Sequence, residues 1–206
     1  VPDELINVAG LGALCGYTGD RQDSFDSSNF MPELVFQWFY SDAGMAYAKW
    51  GESVKAGGLT FSNVPDPIYG GYDDETAEGF EIGSKSRFWG GRAELNLALF
   101  YTTFEDMQLN SFVPNEETGI PDAVVRNAGE ATNQGVEAEF NVAATDWLTL
   151  GASLGYLDSS FDRFEAGPCY AGEDQDGSLP GTCDKAGLDT PNSPRWSGNA
   201  YADLSF

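Results

Sequence analysis

Three observations in the sequence predict an all-β, antiparallel protein. Apolar residues recur at every second position over long stretches, tight turns alternate with long polar loops, and glycine and aromatic residues are abundant. Leu95, Leu97, Leu99 and Tyr101 alternate with Glu94, Asn96 and Ala98. Val136, Ala138, Phe140 and Val142 alternate with Glu137, Glu139 and Asn141. Leu148, Leu150, Ala152, Leu154 and Tyr156 alternate with Thr149, Gly151, Ser153 and Gly155. Successive side chains of a strand point to opposite faces, so each stretch has one apolar and one wet face. The 25 glycines and 14% aromatics suit strands and turns and disfavour long helices.

The elements follow in order. Residues 1–33 stand apart: 1–16 are apolar and Gly-rich, and 17–30 are polar, with Asp20, Asp23, Asp26 and Asn29. Strands are expected at 34–40, 45–61, 79–88, 93–113, 123–143, 147–165 and 195–206, about seven in all. Tight turns join them at Ser41–Gly44, Trp89–Arg92 and Ala144–Asp146. Long loops join them at 62–78, 114–122 and 166–194. If neighbours pair as hairpins, every tight turn falls at one end of the sheet and every long loop at the other. Membrane barrels have that asymmetry, with short periplasmic turns and long extracellular loops. Segments such as 93–113 also exceed the roughly 9–11 tilted residues that cross a bilayer. The expected fold is an antiparallel up-and-down transmembrane β-barrel segment.

Seven strands do not close such a barrel, where the number is even and at least about 8. Either residues 4–14 add an eighth strand and close a minimal outer-membrane barrel with a structural or adhesive role, or the chain is a fragment of a larger one. A soluble acidic β-sandwich that binds a surface ligand is the remaining alternative. In it the Leu95, Leu97 and Leu99 face would be buried against a second sheet.

Charge and composition exclude several functions. The net charge of −23 repels phosphate backbones, which argues against nucleic-acid binding. The chain has no His, which removes His-based triads, zinc motifs and general bases. Carboxylate pairs are no more frequent than acidic density implies, so no catalysis is expected, and no cofactor or metal. Val8-Ala9-Gly10-Leu11-Gly12 is read as a Gly-rich strand or linker, because a polar loop follows where a nucleotide fold needs a helix. Glu173-Asp174-Gln175-Asp176-Gly177 fails the calcium-loop pattern, with Gly172 in place of the first Asp and Cys183 in place of the closing Glu. Cys169 and Cys183 are expected to form a disulfide within the third long loop, two free thiols being the alternative; Cys15 is left over. Trp38, Tyr40, Tyr47, Trp50, Trp89, Trp147 and Trp196 lie near strand ends, where a barrel carries aromatic girdles.

Several stretches resemble TonB-dependent outer-membrane receptors, in the order those receptors have them. They are Pro32–Trp38 with Asp42, Tyr47-Ala48 and Lys55–Gly58; Glu81-Ile82-Gly83-Ser84-Lys85; Leu95–Gln108; and Asn127-Ala128-Gly129 followed by Gly135-Val136-Glu137-Ala138-Glu139. The resemblance covers roughly residues 20–206. It implies that 34–206 are part of a barrel of about 22 strands with a plugged lumen. No plug is recognised in this chain, so the partner TonB complex would be reached only through a plug outside it. Pro194–Gly198 in that family precedes further strands, and Phe206 is read as a chance ending.

The implied function is energised uptake of a scarce nutrient, typically a ferric siderophore, across the outer membrane. Glu94, Asn96, Glu137, Glu139 and Asn141 would face the lumen. Leu95, Leu97, Leu99, Val136, Phe140, Leu150 and Leu154 would face outer-membrane lipid. Tyr69, Tyr72, Phe112 and Tyr170, in or beside the long loops, are the expected ligand contacts.

Overall fold

The computed structural model describes residues 26–60, 71–113, 122–178 and 181–205. The proposed eighth strand at 4–14, Tyr69 and Phe206 therefore lie outside the described residues. Among the described residues eleven strands follow in order: β1 (Glu33–Ser41), β2 (Gly44–Lys55), β3 (Gly58–Leu59), β4 (Gly71–Tyr72), β5 (Glu75–Phe88), β6 (Ala93–Val113), β7 (Asp122–Ala143), β8 (Leu148–Arg163), β9 (Gly167–Pro168), β10 (Thr182–Cys183) and β11 (Trp196–Leu204). Seven of them form one sheet in the order β1-β2-β5-β6-β7-β8-β11. Every pairing in it is antiparallel and joins strands that follow one another round the sheet. The tight turns therefore share one end and the long loops the other, the asymmetry expected of a barrel wall.

Side-chain period and register together sort the two faces. One row of cross-strand partners reads Phe36, Ala48, Ile82, Leu99, Val136, Tyr156 and Trp196. The next on that face reads Trp38, Ala46, Ser84, Leu97, Ala138, Leu154 and Gly198. No charged residue interrupts either row. On β6 this apolar run extends from Ala93 to Tyr101, about 27 Å along the strand at the usual rise. Tilted, that matches the apolar band of roughly 25 Å on membrane barrels. Nothing described covers it: Leu97 is 44% exposed, Leu99 48% and Leu154 54%. A sandwich would bury this face against a second sheet, and among the described residues none lies there. No pairing joins β1 to β11 among the described residues, so the sheet is open at both edges.

Several boundaries differ from those the sequence predicts. The second strand ends at Lys55 instead of residue 61. There Gly57 donates its N–H to Asp74 Oδ1 at 2.7 Å and the chain leaves the sheet. The third long strand begins at Glu75 instead of Gly79, opposite Lys55, with which Glu75 forms an ion pair at 3.3 Å. The first and third long loops carry small hairpins of their own, β3–β4 and β9–β10. Tyr47 is not a girdle residue: its cross-strand partners are Gln37 and Gly83, which puts it on the polar face. Trp50 does lie on the apolar face, in register with Phe80 and, through it, with Tyr101.

The turn at 89–92 is tight because Trp89, Gly90 and Gly91 all take positive φ, at 53°, 66° and 88°. Glycine makes that backbone accessible at two of the three positions. A bulge interrupts the β6–β7 ladder between Phe104 and Met107. Asp106 sits in it at φ 53°, and Asn127 Nδ2 donates to its carbonyl at 2.8 Å.

Most fully buried side chains lie at the loop end. Ala131, Phe161 and Phe164 form a cluster packed by Met107, Leu109 and Ala128. Val113, Val124, Ala166, Thr182 and Cys183 are buried as well. Ala131 pairs with both Phe104 and Phe161, in the rows that continue the polar face. The third long loop thus folds over the polar side of the sheet, not the apolar one.

Candidate functional site

The polar face and the loop end above it form the candidate site. Its rows run Gln37, Tyr47, Gly83, Ala98, Glu137, Gly155, Ser197 and Phe39, Met45, Lys85, Asn96, Glu139, Ser153, Asn199. Glu94 and Asn141 pair on the same face. The structure therefore gathers Glu94, Asn96, Glu137, Glu139 and Asn141 on one side. Leu95, Leu97, Leu99, Val136, Phe140, Leu150 and Leu154 share the other.

Polar groups on this face bind one another, amides to carboxylates two residues away along one strand and ion pairs across neighbouring strands. Asn96 Nδ2 donates to Glu94 Oε1 at 3.1 Å, and Asn141 Nδ2 to Glu139 Oε1 at 3.2 Å. Lys49 pairs with Glu33 at 2.9 Å and Arg87 with Glu94 at 3.6 Å. A hollow of about 690 Å³ lies between Tyr47, Glu81, Lys85, Asn96, Glu137 and Glu139.

Three aromatic rings on this face lie across glycines of the neighbouring strand. Tyr47 covers Gly83, Phe100 covers Gly135, and Tyr201 covers Gly151; each is a direct cross-strand pair. A Cβ on any of these glycines would come within 2.2–2.6 Å of the ring. The hydroxyls are then placed sideways: Tyr47 donates to Glu81 Oε1 at 2.5 Å and Tyr201 to Asn141 Oδ1 at 2.7 Å. Large side chains that would stand off the wall are laid flat on it.

At the loop end, two side chains tie the first long loop to the β6–β7 hairpin. Gln108 Nε2 donates to the carbonyls of Lys55, Ala56 and Asp73 at 3.0–3.2 Å. Asn127 accepts from the Asp73 N–H at 2.6 Å and returns a bond to the Asp73 carbonyl at 2.9 Å. Both residues sit inside the motifs that carry the family resemblance, but their partners lie far away in sequence, so this role was not readable there. Asp74 accepts from Gly57 N–H, Asn29 Nδ2 and Ser27 Oγ, and these three donors hold its carboxyl below the usual carboxylate range.

The third loop is closed by a disulfide between Cys169 and Cys183. Beside it Lys185, 4% exposed, pairs with Glu173 and lies 4.5 Å over the Tyr170 ring. Glu173 also accepts from the Tyr170 N–H at 2.8 Å. The Lys185 ammonium, then that N–H, lower the Glu173 carboxyl pKa. Cys169, Glu173 and Cys183 cluster at metal-ligand spacing, but the two sulfurs are bonded to each other and are not available as thiolates.

The candidate ligand contacts are held by different elements. Tyr72 lies on β4 with its hydroxyl against Gly58. Phe112 lies near the end of β6, opposite Ala123. Tyr170 is 66% exposed, following β9. No helix among the described residues is long and apolar enough to cross a membrane, which says nothing about strands.

A family model described as TonB-dependent receptor-like β-barrel matches residues 10–206. The fold is similar to that of the ferric yersiniabactin uptake receptor FyuA from Yersinia pestis, with TM-score 0.56 and 19% identity over 84% of this chain and 22% of that one. It is similar to the alcaligin outer-membrane receptor FauA from Bordetella pertussis, with TM-score 0.52 and 20% identity over 90% and 28%. It is also similar to the siderophore receptor PirA from Pseudomonas aeruginosa, with TM-score 0.51 and 18% identity over 68% and 31%. The chain thus spans less than a third of each, and at these identities the likeness is one of fold.

Proposed function

We propose, from the premise that this chain belongs to the TonB-dependent receptor β-barrel family, that it is part of an outer-membrane receptor for energised uptake of a ferric siderophore. In this reading residues 34–206 are a stretch of barrel wall and 1–33 an atypical segment before it. The remaining strands, the plug and the contact with TonB are supplied by other parts of the receptor.

The observation that carries the reading is the uncovered apolar band, whose two central rows cross all seven strands without a charge, with a polar face behind it. Large exposed apolar surfaces are rare on soluble proteins and mark contact with lipid or a partner. Leu95, Leu97, Leu99, Val136, Phe140, Leu150 and Leu154 then meet lipid. Glu94, Asn96, Glu137, Glu139 and Asn141 line the lumen, with the Tyr47, Phe100 and Tyr201 rings flattened against its wall. Tyr72, Phe112 and Tyr170 stand at the extracellular mouth, where an arriving ligand is first met.

The complete receptor, expressed in an iron-starved Gram-negative host lacking its own siderophore receptors, tests this. Uptake of radioactive iron is measured from a panel of ferric siderophores. The reading requires uptake that depends on the receptor and stops when TonB is deleted or a protonophore is added. No uptake from any member, or uptake indifferent to TonB, would overturn it.

A further inference from the structure

Granted the receptor role proposed above, the charges at the loop end narrow its ligand. The loops at 56–78 and 114–122 contain no Lys or Arg. The third loop carries Glu165, Glu173, Asp174, Asp176, Asp184 and Asp189 against the single cation Lys185. Among the described residues the bases at this end are already engaged. Lys55 is bonded to Glu75, Arg163 to Glu130 at 2.7 Å, Lys185 to Glu173 and Arg195 to Asp189 at 3.0 Å. Arg126 is not free either. Lys185 is moreover buried beneath the loop. Below the mouth, Glu81, Glu137 and Glu139 line the hollow of the polar face together with Lys85, and Lys49, in register with Glu81, is already paired with Glu33.

A cleft lined by one sign of charge raises the local concentration of the opposite sign and repels its own. The loop also offers a flat apolar surface. The Tyr170 ring is held from one side by the Lys185 ammonium, its backbone by Glu173, and its segment by the disulfide, while two thirds of the residue stays open to solvent. An aromatic fixed in this way loses little entropy when it binds.

We propose that the ligand is a ferric chelate of zero or positive net charge, with a planar or apolar face that rests on Tyr170. Three monoanionic hydroxamates neutralise ferric iron. Three dianionic catecholates leave a trianion, which this mouth excludes.

The test uses the complete receptor in outer-membrane vesicles and two probes of similar size, a neutral ferric tris-hydroxamate and a ferric tris-catecholate. Binding is read by quenching of intrinsic tryptophan fluorescence. In about 10 mM salt, where charges act over about 30 Å, the hydroxamate binds roughly tenfold or more tighter. The gap narrows in about 0.3 M salt. Tyr170→Ala weakens hydroxamate binding with the folded, heat-modifiable band on a gel unchanged. Equal or tighter binding of the catecholate, or a gap indifferent to salt, overturns the charge selectivity alone. Binding unaffected by Tyr170→Ala overturns the contact. If neither chelate binds, the ferric-siderophore reading falls and this inference with it.

Discussion

Tyr201, on the last strand, donates its hydroxyl to Asn141 Oδ1 at 2.7 Å, two strands away, by lying across Gly151 of the strand between. The reach depends on the glycine, because any side chain at 151 would occupy the space of the ring. The polar face uses the same device at Gly83 and Gly135, with Tyr47 and Phe100.

Gly151→Val should therefore displace Tyr201 and destabilise the wall by about 1–3 kcal/mol, the usual cost of overpacking. Tyr201→Phe keeps the ring and loses only the hydrogen bond, about 0.5–1.5 kcal/mol. Urea unfolding of the complete receptor in detergent measures both. Equal effects would show that the ring's position on Gly151 is unimportant.

Leu97 lies in the middle of the apolar band, and Glu137, paired with the next residue Ala98, lies on the other face. Leu97→Arg should cost about 2–4 kcal/mol and block assembly into the outer membrane, whereas Glu137→Gln should assemble normally. The readout is the yield of the folded, heat-modifiable form.

Asn127→Ala removes three bonds that fasten Asp73 and the Asp106 bulge. Its expected effect is local. Amide exchange and protease cutting should speed up across residues 71–75, while the transmembrane strands keep wild-type protection. Uniform loss of protection would mean that Asn127 supports the barrel as a whole.

Asp74 and Glu173 both have carboxyl pKa values lowered in the folded protein. Each then favours the folded loop when ionised. The contribution is complete above the unfolded carboxylate pKa, near 3.8 for Asp74 and 4.5 for Glu173, and fades as pH falls through the lower folded value. Loop protection against an acid-active protease should decline below about pH 4 in the wild type. Asp74→Asn should be loosened already at neutral pH, with a flatter profile. A wild-type profile that does not change with acid would contradict this.

Much of the wall could be read from the sequence. Period two across 95–101, 136–142 and 148–156 sorted both faces, since a strand's alternation needs no knowledge of its neighbour. The strict alternation of tight turns with long loops gave the hairpin order. Tyr47 was misplaced because proximity to a strand end does not specify a face; parity relative to Gln37 and Gly83 does. The early end at Lys55 and start at Glu75 depend on a capping carboxylate, Asp74, that sits across the loop. The roles of Gln108, Asn127 and Lys185 were hidden for the same reason: their partners are brought in by the fold, from up to 54 residues away. Cys169 and Cys183 were a pair by spacing, but the buried Lys185 beneath Tyr170 left no mark in composition.

The orientation of the wall is the claim on which the rest depends. Single cysteines at positions 97, 99, 136 and 154, and at 96, 137 and 139, in the complete receptor within native outer membrane would test it directly. Each set is offered a lipid-dissolved and a water-dissolved thiol reagent. The first set should react from the lipid and resist the aqueous reagent, and the second set should do the reverse. If both sets react alike with the aqueous reagent, the apolar band does not face lipid and the barrel-wall account is wrong.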